Sequence, residues 1–189
     1  MAVTKRALRR SAREGNGLTL IDAPWRHELF DNPSKSDECF ICRAVYEPPR
    51  NDRKNLLLVR GERAVILLNR YPYTMGALMV APIEHTGEFR QLDDETVLEL
   101  MRLVKQSISI LEQAAHPEGY NIGINQGKAA GAGLKDHLHI HVVPRWGADT
   151  NFMTTTSDAR VLAEDVDSMF NRLRRAMGRI ETTNARGAK

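Results

Sequence analysis

The feature that most constrains this chain is a run with histidine at every second position, His137-Leu138-His139-Ile140-His141-Val142-Val143-Pro144. On a β-strand, successive side chains point to opposite faces, so the three imidazoles share one face. Leu138, Ile140 and Val142 share the other face, and all three are apolar. We therefore predict a strand that packs against a core on one side and carries chemistry on the other.

Three interpretations of this histidine face differ in how well they fit the spacing. A polar, exposed face would explain one histidine more readily than three. A metal centre built from all three is disfavoured because alternate residues lie about 6.6 Å apart along a strand. Nucleophilic catalysis fits better, since a neutral imidazole, with an ordinary pKa of about 6.5, can attack phosphorus at pH 7 and form a phosphoramidate. The spacing alone does not say which histidine attacks.

Short apolar runs predict the other strands of one sheet. Residues 56–60 and 63–69 flank Gly61-Glu62, which suits a two-residue hairpin turn, and residues 77–82 supply a third strand. Residues 121–125 and 138–144 are two further strands, joined by a glycine-rich loop at 127–133. Their separation is compatible with a hairpin.

Two segments with helical periodicity complete the domain. After Asp93, apolar residues fall at Val97, Leu100, Met101, Val104, Ile108 and Leu111, the spacing of one helix face, and Pro117 and Gly119 end the segment. A second amphipathic segment follows, with apolar residues at Leu162, Val166, Met169, Phe170, Leu173 and Met177. We predict an α+β fold with a mainly antiparallel sheet of about five strands, one long central helix and a C-terminal helix.

Charge and length indicate one domain with basic ends. Of the 189 residues, 1–17 and 172–189 together carry a net charge of +9, so residues 18–171 carry −6 within the total of +3. We predict disordered basic tails at 1–17 and 176–189 and a domain at 18–175, in which the proline-rich stretch 18–55 is an irregular arm. A basic face across the domain is disfavoured, although a weak, salt-sensitive contact of the tails with nucleic acid stays open.

Nothing in the sequence predicts a membrane segment or a secretory signal. The apolar runs are strand-sized, far below the roughly 20 residues that a membrane helix needs. The basic N-terminus leads into Glu14-Gly15-Asn16-Gly17 and not into an apolar region. We therefore expect a cytoplasmic location with reduced thiols and no membrane contact.

The histidine run resembles the His-x-His-x-His-apolar-apolar signature of the histidine triad (HIT) family. Residues 69–73, 76–82, 119–133 and 144–152 resemble its fragile-histidine-triad-like branch, which includes bacterial diadenosine tetraphosphate phosphorylases and hydrolases. The likeness covers roughly residues 20–175. It implies a HIT-like fold and an enzyme that cleaves dinucleoside polyphosphates.

The resemblance also implies a role for individual residues. His139 would attack the α-phosphorus and carry the nucleotidyl group, and His141 would support it from the same face. Asn69 matches a position that contacts the ribose hydroxyls, and Asn125 matches a polar residue near the phosphates and the nucleophile. Water as the acceptor would make the protein a hydrolase, whereas inorganic phosphate would make it a phosphorylase, and a divalent ion accompanying the substrate stays open.

Two other functions remain open at this point. A nucleoside phosphoramidase, as in other branches of the family, would use the same nucleophile on P–N bonds. A non-catalytic nucleotide-binding or RNA-associated protein would bind a nucleotide without turnover. Dependence of turnover on His139 separates the enzymes from the binding protein.

The glycine-rich loop and the tryptophans are candidate substrate contacts. Gly131 and Gly133 lie in a loop whose main-chain N–H groups could reach phosphate oxygens, although no Gly-Lys-Ser/Thr follows and a flexible hairpin loop would look the same. Relatives can carry Ser or Gln in this loop, where this chain has Ala132 and Gly133, so the leaving-group preference is open. Trp146 and Trp25 could stack on a nucleobase, and burial is an equal alternative for each.

In a cytosolic chain, the cysteine pair Cys39-x-x-Cys42 indicates metal or redox chemistry rather than a structural disulfide. Zinc is favoured over a redox pair, because no thioredoxin-like strand and helix pattern surrounds the cysteines. The resemblance implies that His85 and His137 complete a closed structural zinc site. The alternative is two reduced cysteines packed as small apolar residues. The resemblance also implies a homodimer, formed by the long helix and an edge strand.

Overall fold

The computed structural model describes residues 39–72, 74–147, 149 and 164–187, with side chains described as far as Glu181. The helices are α1 (Phe40–Tyr46), α2 (Asp52–Asn55), α3 (Asp94–Ala115) and α4 (Val166–Gly187). The strands are β1 (Leu57–Arg60), β2 (Ala64–Leu68), β3 (Leu78–Pro82), β4 (Gly119–Ile124) and β5 (Ile140–Arg145). Within these described residues, short 3-10 turns occupy Pro49–Asn51, Phe89–Gln91 and Lys128–Ala130.

The five strands form one antiparallel sheet in the order β1-β2-β3-β5-β4. The predicted α+β architecture is thus confirmed, with α3 between the third and fourth strands and α4 after the fifth. Both β2 and β3 are buried along their whole length, as expected for central strands made of uninterrupted apolar runs. β4 lies at one edge of the sheet, and β5 lies between β3 and β4.

The two faces of the sheet bury two separate apolar clusters. Helices α3 and α4 cover the first face, where Leu100, Leu111 and Leu173 pack against alternate strand residues such as Ile66 and Val80. The short helix α1 covers the second face through Ile41, Ala44 and Val45, and its partners on the sheet are Leu57, Val65, Leu67, Met79 and Ala81. The second face carries the triad histidines.

The long helix α3 begins and ends where the sequence predicts. The Asp93 carboxylate accepts a hydrogen bond from the Thr96 main-chain N–H at 2.7 Å, the contact of a helix N-cap. His116 caps the C-terminus in the left-handed region, at φ 48°, directly before Pro117. One residue of the predicted apolar face differs, because Met101 is half-exposed and does not join the core.

Two expectations about the ends of the domain need correction. Residues 40–55, expected within an irregular arm, contain α1 and α2, and packing on the sheet stabilises α1, which is too short to persist alone. The C-terminal tail expected from residue 176 is helical as far as Gly187, since Ala176 and Met177 belong to the core. The N-terminal tail, the rest of the arm, Trp25 and Leu162 lie outside the described residues.

The first hairpin has three residues between its strands and not the predicted two. The Gly61 N–H donates to the Ala64 carbonyl at 2.8 Å, and the carboxylate of Glu99 from α3 reaches the Arg63 and Ala64 N–H groups. A side chain at Gly61 would collide with that carboxylate. Close approach, and not an unusual backbone angle, therefore explains this glycine.

None of the helices that the structure describes combines the length and apolar character needed to cross a membrane.

Candidate active site and metal centre

The triad segment keeps the alternation of a strand beyond the ends of β5. Leu138 N–H donates to the Thr86 carbonyl at 2.7 Å, which ties the segment ahead of Ile140 to the chain that follows β3. Leu138, Ile140 and Val142 pack in the cluster under α3 and α4. His141 is opposite Met79, a residue of the second cluster. The predicted division into a packing face and a histidine face is therefore what the fold displays.

His139 is almost fully buried and its ring is held by two neighbours. Its Nδ1 lies 3.1 Å from the main-chain carbonyl oxygen of His137. Its ring meets that of His141 edge to face, with centroids 4.7 Å apart and planes at 75°. Burial lowers the pKa of His139, against a smaller raising effect of the bond to the His137 carbonyl. A neutral imidazole at pH 7 follows.

The contact with the His137 carbonyl fixes the tautomer of His139. A carbonyl oxygen can only accept, so Nδ1 must carry the proton and donate it. In the neutral ring, Nε2 then holds a free lone pair, which is the form a nucleophile needs. Such a ring can attack an electrophilic phosphorus without first losing a proton.

Gly123 lies opposite His141 in the pairing of β4 with β5, and sequence reasoning missed it. A Cβ at this position would meet no atom within 4 Å, so the face beside His141 is open on the β4 side. A glycine inside a strand is itself a signal that something approaches closely. Gly123 thus leaves room for a ligand next to the histidine pair.

The two asparagines lie on either side of the triad. Continuing the β4–β5 register by one residue past Ile124 brings Asn125 opposite His139, and its side chain is exposed. Asn69 follows β2, where its side-chain oxygen accepts from the Tyr71 N–H at 2.9 Å, an Asx-turn contact. That contact uses the amide oxygen of Asn69, and the amide N–H₂ group can donate a hydrogen bond to a ligand.

The glycine-rich loop forms a 3-10 turn between two glycines with positive φ, Gly127 at 78° and Gly131 at 80°. Gly131 N–H donates to the Lys128 carbonyl at 3.1 Å, and the N–H groups of Ala130 and Ala132 both bond to the Gly127 carbonyl. In this conformation Gly131 shapes the turn, and its N–H group is already used. The N–H group of Gly133 has no main-chain acceptor among the described residues.

Trp146 packs at the end of α3. Its indole N–H donates to the Ala115 carbonyl at 3.3 Å, and the side chain is half-buried. Trp146 lies seven positions after His139, about 23 Å at strand geometry. The alternative of burial, which the sequence left open, accounts for this placement.

Four side chains converge where α1 meets the triad segment. The ligand atoms of Cys39, Cys42, His85 and His137 all lie within 4.8 Å of one another. The His137 Nδ1 is 3.2 Å from the Cys39 Sγ, 3.4 Å from the Cys42 Sγ and 3.2 Å from the His85 Nδ1. The Cys42 Sγ is 3.1 Å from the His85 Nδ1. The fold thus brings together the four residues that the resemblance implied.

These distances suit one tetrahedral metal ion. Zinc bonds of about 2.3 Å to sulfur and 2.0–2.1 Å to nitrogen give ligand separations of about 3.3–3.8 Å at tetrahedral angles. The His137 Nε2 lies 2.9 Å from the Pro82 carbonyl, so Nε2 carries the proton and Nδ1 presents its lone pair to the cluster. Burial also lowers the pKa of His137, which favours the neutral, ligating form. The cluster could therefore hold a metal.

Local structure explains how the cysteines reach this point. Cys39 is the residue before α1 and Cys42 lies three positions on, so both face the same side of one helical turn. Arg60 fixes the far end of α1: its guanidinium donates to the carbonyls of Ala44, Val45 and Glu47 and to the Asp52 carboxylate. Sequence reasoning missed Arg60, because no local pattern indicates which carbonyls an arginine will meet.

A close contact joins the segments that carry the two histidines of the cluster. A Cβ at Gly87 would collide with the Lys135 carbonyl oxygen and lie 3.3 Å from the Asp136 Cα. Gln126 braces the same region, accepting from the Phe89 N–H at 3.1 Å and donating to Glu88. Only glycine at position 87 lets the His85 segment lie this close to the His137 segment.

A five-stranded antiparallel sheet bearing a His-x-His-x-His strand beside a Cys/His cluster defines a histidine triad protein. The model of the HIT domain matches residues 50–147. The chain belongs to the HIT domain family.

Relatives with known names cover part of this chain. An AP-4-A phosphorylase of Mycobacterium tuberculosis (strain H37Rv) is 39% identical over 117 residues, 62% of this chain and 60% of the relative. The aligned part therefore spans about three fifths of the relative's length. An adenosine 5'-monophosphoramidase of Schizosaccharomyces pombe is 29% identical over 107 residues, 57% of this chain and 74% of the relative.

A solved structure supports the same fold. The crystal structure of a Zn-bound histidine triad family protein from Mycobacterium smegmatis has a TM-score of 0.62 and 27% sequence identity. It covers 77% of this chain, and this chain covers 97% of that protein.

Proposed function

We propose that this protein is a nucleotidyl hydrolase or transferase that cleaves dinucleoside polyphosphates, such as diadenosine tetraphosphate, through a covalent intermediate on His139. The observation that carries the proposal is the bond from the His139 Nδ1 to the His137 carbonyl at 3.1 Å, which leaves Nε2 as the nucleophilic nitrogen. The neighbouring ring of His141, 4.7 Å away between centroids, supports the reacting group from the same face.

The reaction has two steps at the α-phosphorus. The Nε2 lone pair of His139 forms an N–P bond while the bond from phosphorus to the bridging oxygen breaks, and its electron pair leaves with the nucleoside polyphosphate. An oxygen of water or of inorganic phosphate then attacks phosphorus, and the N–P bond breaks with return of its electron pair to Nε2, while the proton of an attacking water passes to solvent. Asn125, which a one-residue continuation of the β4–β5 register puts opposite His139, and the N–H of Gly133 would meet the negative charge on the phosphoryl oxygens.

The acceptor decides between the two forms of this activity. The likeness to the AP-4-A phosphorylase of Mycobacterium tuberculosis favours inorganic phosphate. Ala132 and Gly133 provide no side-chain donor in the loop. Contacts to the leaving group would therefore differ from those of relatives that carry Ser or Gln there. A nucleoside phosphoramidase is the second candidate, favoured by the likeness to the monophosphoramidase of Schizosaccharomyces pombe.

Zinc at Cys39, Cys42, His85 and His137 is the proposed resident metal. All four tetrahedral positions would be filled by the chain, so the ion would be structural, holding α1 against the triad segment. The Zn-bound family structure from Mycobacterium smegmatis supports this assignment. Because His137 would be a ligand through its ring and orients His139 through its carbonyl, the metal would stiffen the support of the nucleophile.

A homodimer is the proposed assembly. β4 ends the sheet and exposes Ile122 and Ile124, at 45% and 37%, while α3 exposes Leu98 and Met101, at 52% and 50%. An unpaired edge strand with exposed apolar side chains is suited to meet a second copy. Light scattering should give twice the chain mass, and Ile122→Lys should halve it. A monomeric unaltered protein would refute the assembly.

Product analysis tests the activity directly. Diadenosine tetraphosphate is incubated with the protein, with and without inorganic phosphate, and AMP, ADP and ATP are separated by chromatography. ADP plus ATP formed only with phosphate identifies a phosphorylase, and AMP plus ATP without phosphate identifies a hydrolase. Turnover of adenosine phosphoramidate alone would favour the second candidate, and no turnover of either compound would refute both.

A further inference from the structure

A cleft of about 530 Å³ that none of the triad histidines lines is lined mainly by cations. Its lining residues are Arg50, Arg53, Lys54, Leu56, Arg70, Val166 and Asp167. Leu56 and Val166 pack with the cluster under α3 and α4, whereas the triad face buries the second cluster. Four cations and one acid thus surround a concave space that the proposed catalytic chemistry does not use.

The four cations line one concave space and exceed its single acid, Asp167. Arg50, Arg53 and Lys54 follow each other through the 3-10 turn and α2, at the i, i+3 and i, i+4 spacings of neighbours on one helical surface. Arg70 joins them from the loop after β2, where its guanidinium donates to the Lys54 carbonyl at 2.7 Å. Among the residues that the structure describes, none of the four forms an ion pair.

Such an arrangement is unfavourable for the free protein. Like charges at these helical spacings repel one another. Elsewhere on this domain, exposed or half-exposed arginines such as Arg60, Arg63 and Arg145 do pair with a carboxylate. The four cleft cations share one concave space and, among the described residues, form no such pair, so a bound anion would relieve their mutual repulsion.

The geometry points to a second binding site, and we propose that this cleft binds a chain of linked phosphate groups, free or carried on a nucleoside. The volume lies in the range of small-ligand sites, and a concave pocket suits such a ligand better than a polymer, which needs a continuous basic stripe. Arginine and lysine together provide forked and point donors for several phosphate oxygens. Leu56 and Val166 add an apolar part of the wall. The site does not depend on the activity of His139.

Calorimetric titration of the full chain with inorganic tripolyphosphate tests the site. The variant Arg53→Gln/Lys54→Gln should weaken binding about tenfold or more, since two charge-assisted contacts are lost. The matched control is Arg90→Gln/Arg175→Gln, which removes equal charge from exposed positions that do not line the cleft. This control should change the dissociation constant by no more than about twofold. Asp167→Asn should act in the opposite direction and tighten binding.

Further arms identify the ligand and separate this site from the triad. ATP bound as tightly as tripolyphosphate would assign recognition to the phosphate chain, and tighter binding of ATP would add a nucleoside contact. The effect of Arg53→Gln/Lys54→Gln should persist in His139→Ala protein, so a failed catalytic proposal would leave it intact. Equal weakening of tripolyphosphate binding in the control variant would overturn the proposal. So would oligoribonucleotide binding that depends on Arg53 and Lys54 when tripolyphosphate binding does not.

Discussion

The main-chain carbonyl of His137 accepts a hydrogen bond from the Nδ1 of His139 at 3.1 Å, while the imidazole of the same His137 faces Cys39 at 3.2 Å. One residue therefore belongs to both centres. Its ring is part of the Cys/His cluster, and its backbone sets the tautomer of the next histidine on that face. Distortion of the cluster should therefore reach His139, the proposed nucleophile, through a single residue.

Replacing His139 tests the assignment of the nucleophile. His139→Ala should reduce turnover of diadenosine tetraphosphate by roughly 10³-fold or more, because no other group forms the N–P bond. The matched control is His116→Asn, at the left-handed C-cap of α3, where asparagine is tolerated. Initial rates of the purified variants measure both effects, and appreciable turnover in His139→Ala would rule this nucleophile out.

The cysteines should be required for the metal and for stability. We expect about one zinc per chain by elemental analysis, lost in Cys39→Ser/Cys42→Ser. Loss of a structural metal should cost about 3 kcal/mol or more, which lowers Tm by about 6–12 °C in a chain of this size. Phe40→Ser, an exposed position between the two cysteines, should keep its zinc. Absence of zinc from protein purified without chelators would contradict the assignment.

Gly87 should be intolerant of even one methyl group. Gly87→Ala would press a Cβ against the Lys135 carbonyl, which should cost about 1–3 kcal/mol and push the His85 segment away from His137. Both thermal stability and zinc affinity should fall. Gly119→Ala is the control, since a Cβ at Gly119 meets nothing within 4 Å. Equal Tm values for the two variants would show that the close approach is absent.

Arg60 should be irreplaceable by lysine. Arg60→Ala removes donors to three carbonyls and to Asp52, for an expected loss of about 2–3 kcal/mol of unfolding free energy. Arg60→Lys should recover little, because one ammonium group cannot reproduce the planar fork. Denaturant unfolding measures both. A fully stable Arg60→Lys protein would mean that charge alone holds α1 in place.

The sequence predicted the sheet, α3 and the histidine face because their signals are local and periodic. Alternating residues at 137–142 and the helical spacing after Asp93 specify a face without reference to the rest of the fold. The sequence did not predict the helices within residues 40–55, because Pro48 and Pro49 lie between them. In addition, α1 is stabilised by packing on the sheet, through Ile41, Ala44 and Val45. Such tertiary contacts have no local pattern.

Some details of the site could be predicted from the sequence, and others depend on tertiary contacts. The identity of the Cys/His cluster followed from a resemblance, and its convergence is visible only once α1 lies on the sheet. The donors of the glycine loop could not be predicted, because the 3-10 turn at Lys128–Ala130 decides which N–H groups are used internally. The same is true of Trp146, whose indole reaches a carbonyl 31 residues earlier in the chain.

Trapping the covalent intermediate is the most direct test of the central claim. Protein mixed briefly with diadenosine tetraphosphate and quenched in base, where phosphoramidates survive, is digested and mapped by mass spectrometry. One adenylyl group should appear on His139, and the adduct should be absent from His139→Ala. An adduct on another residue, or rapid turnover by the unaltered protein with no adduct under any quench, would contradict the account.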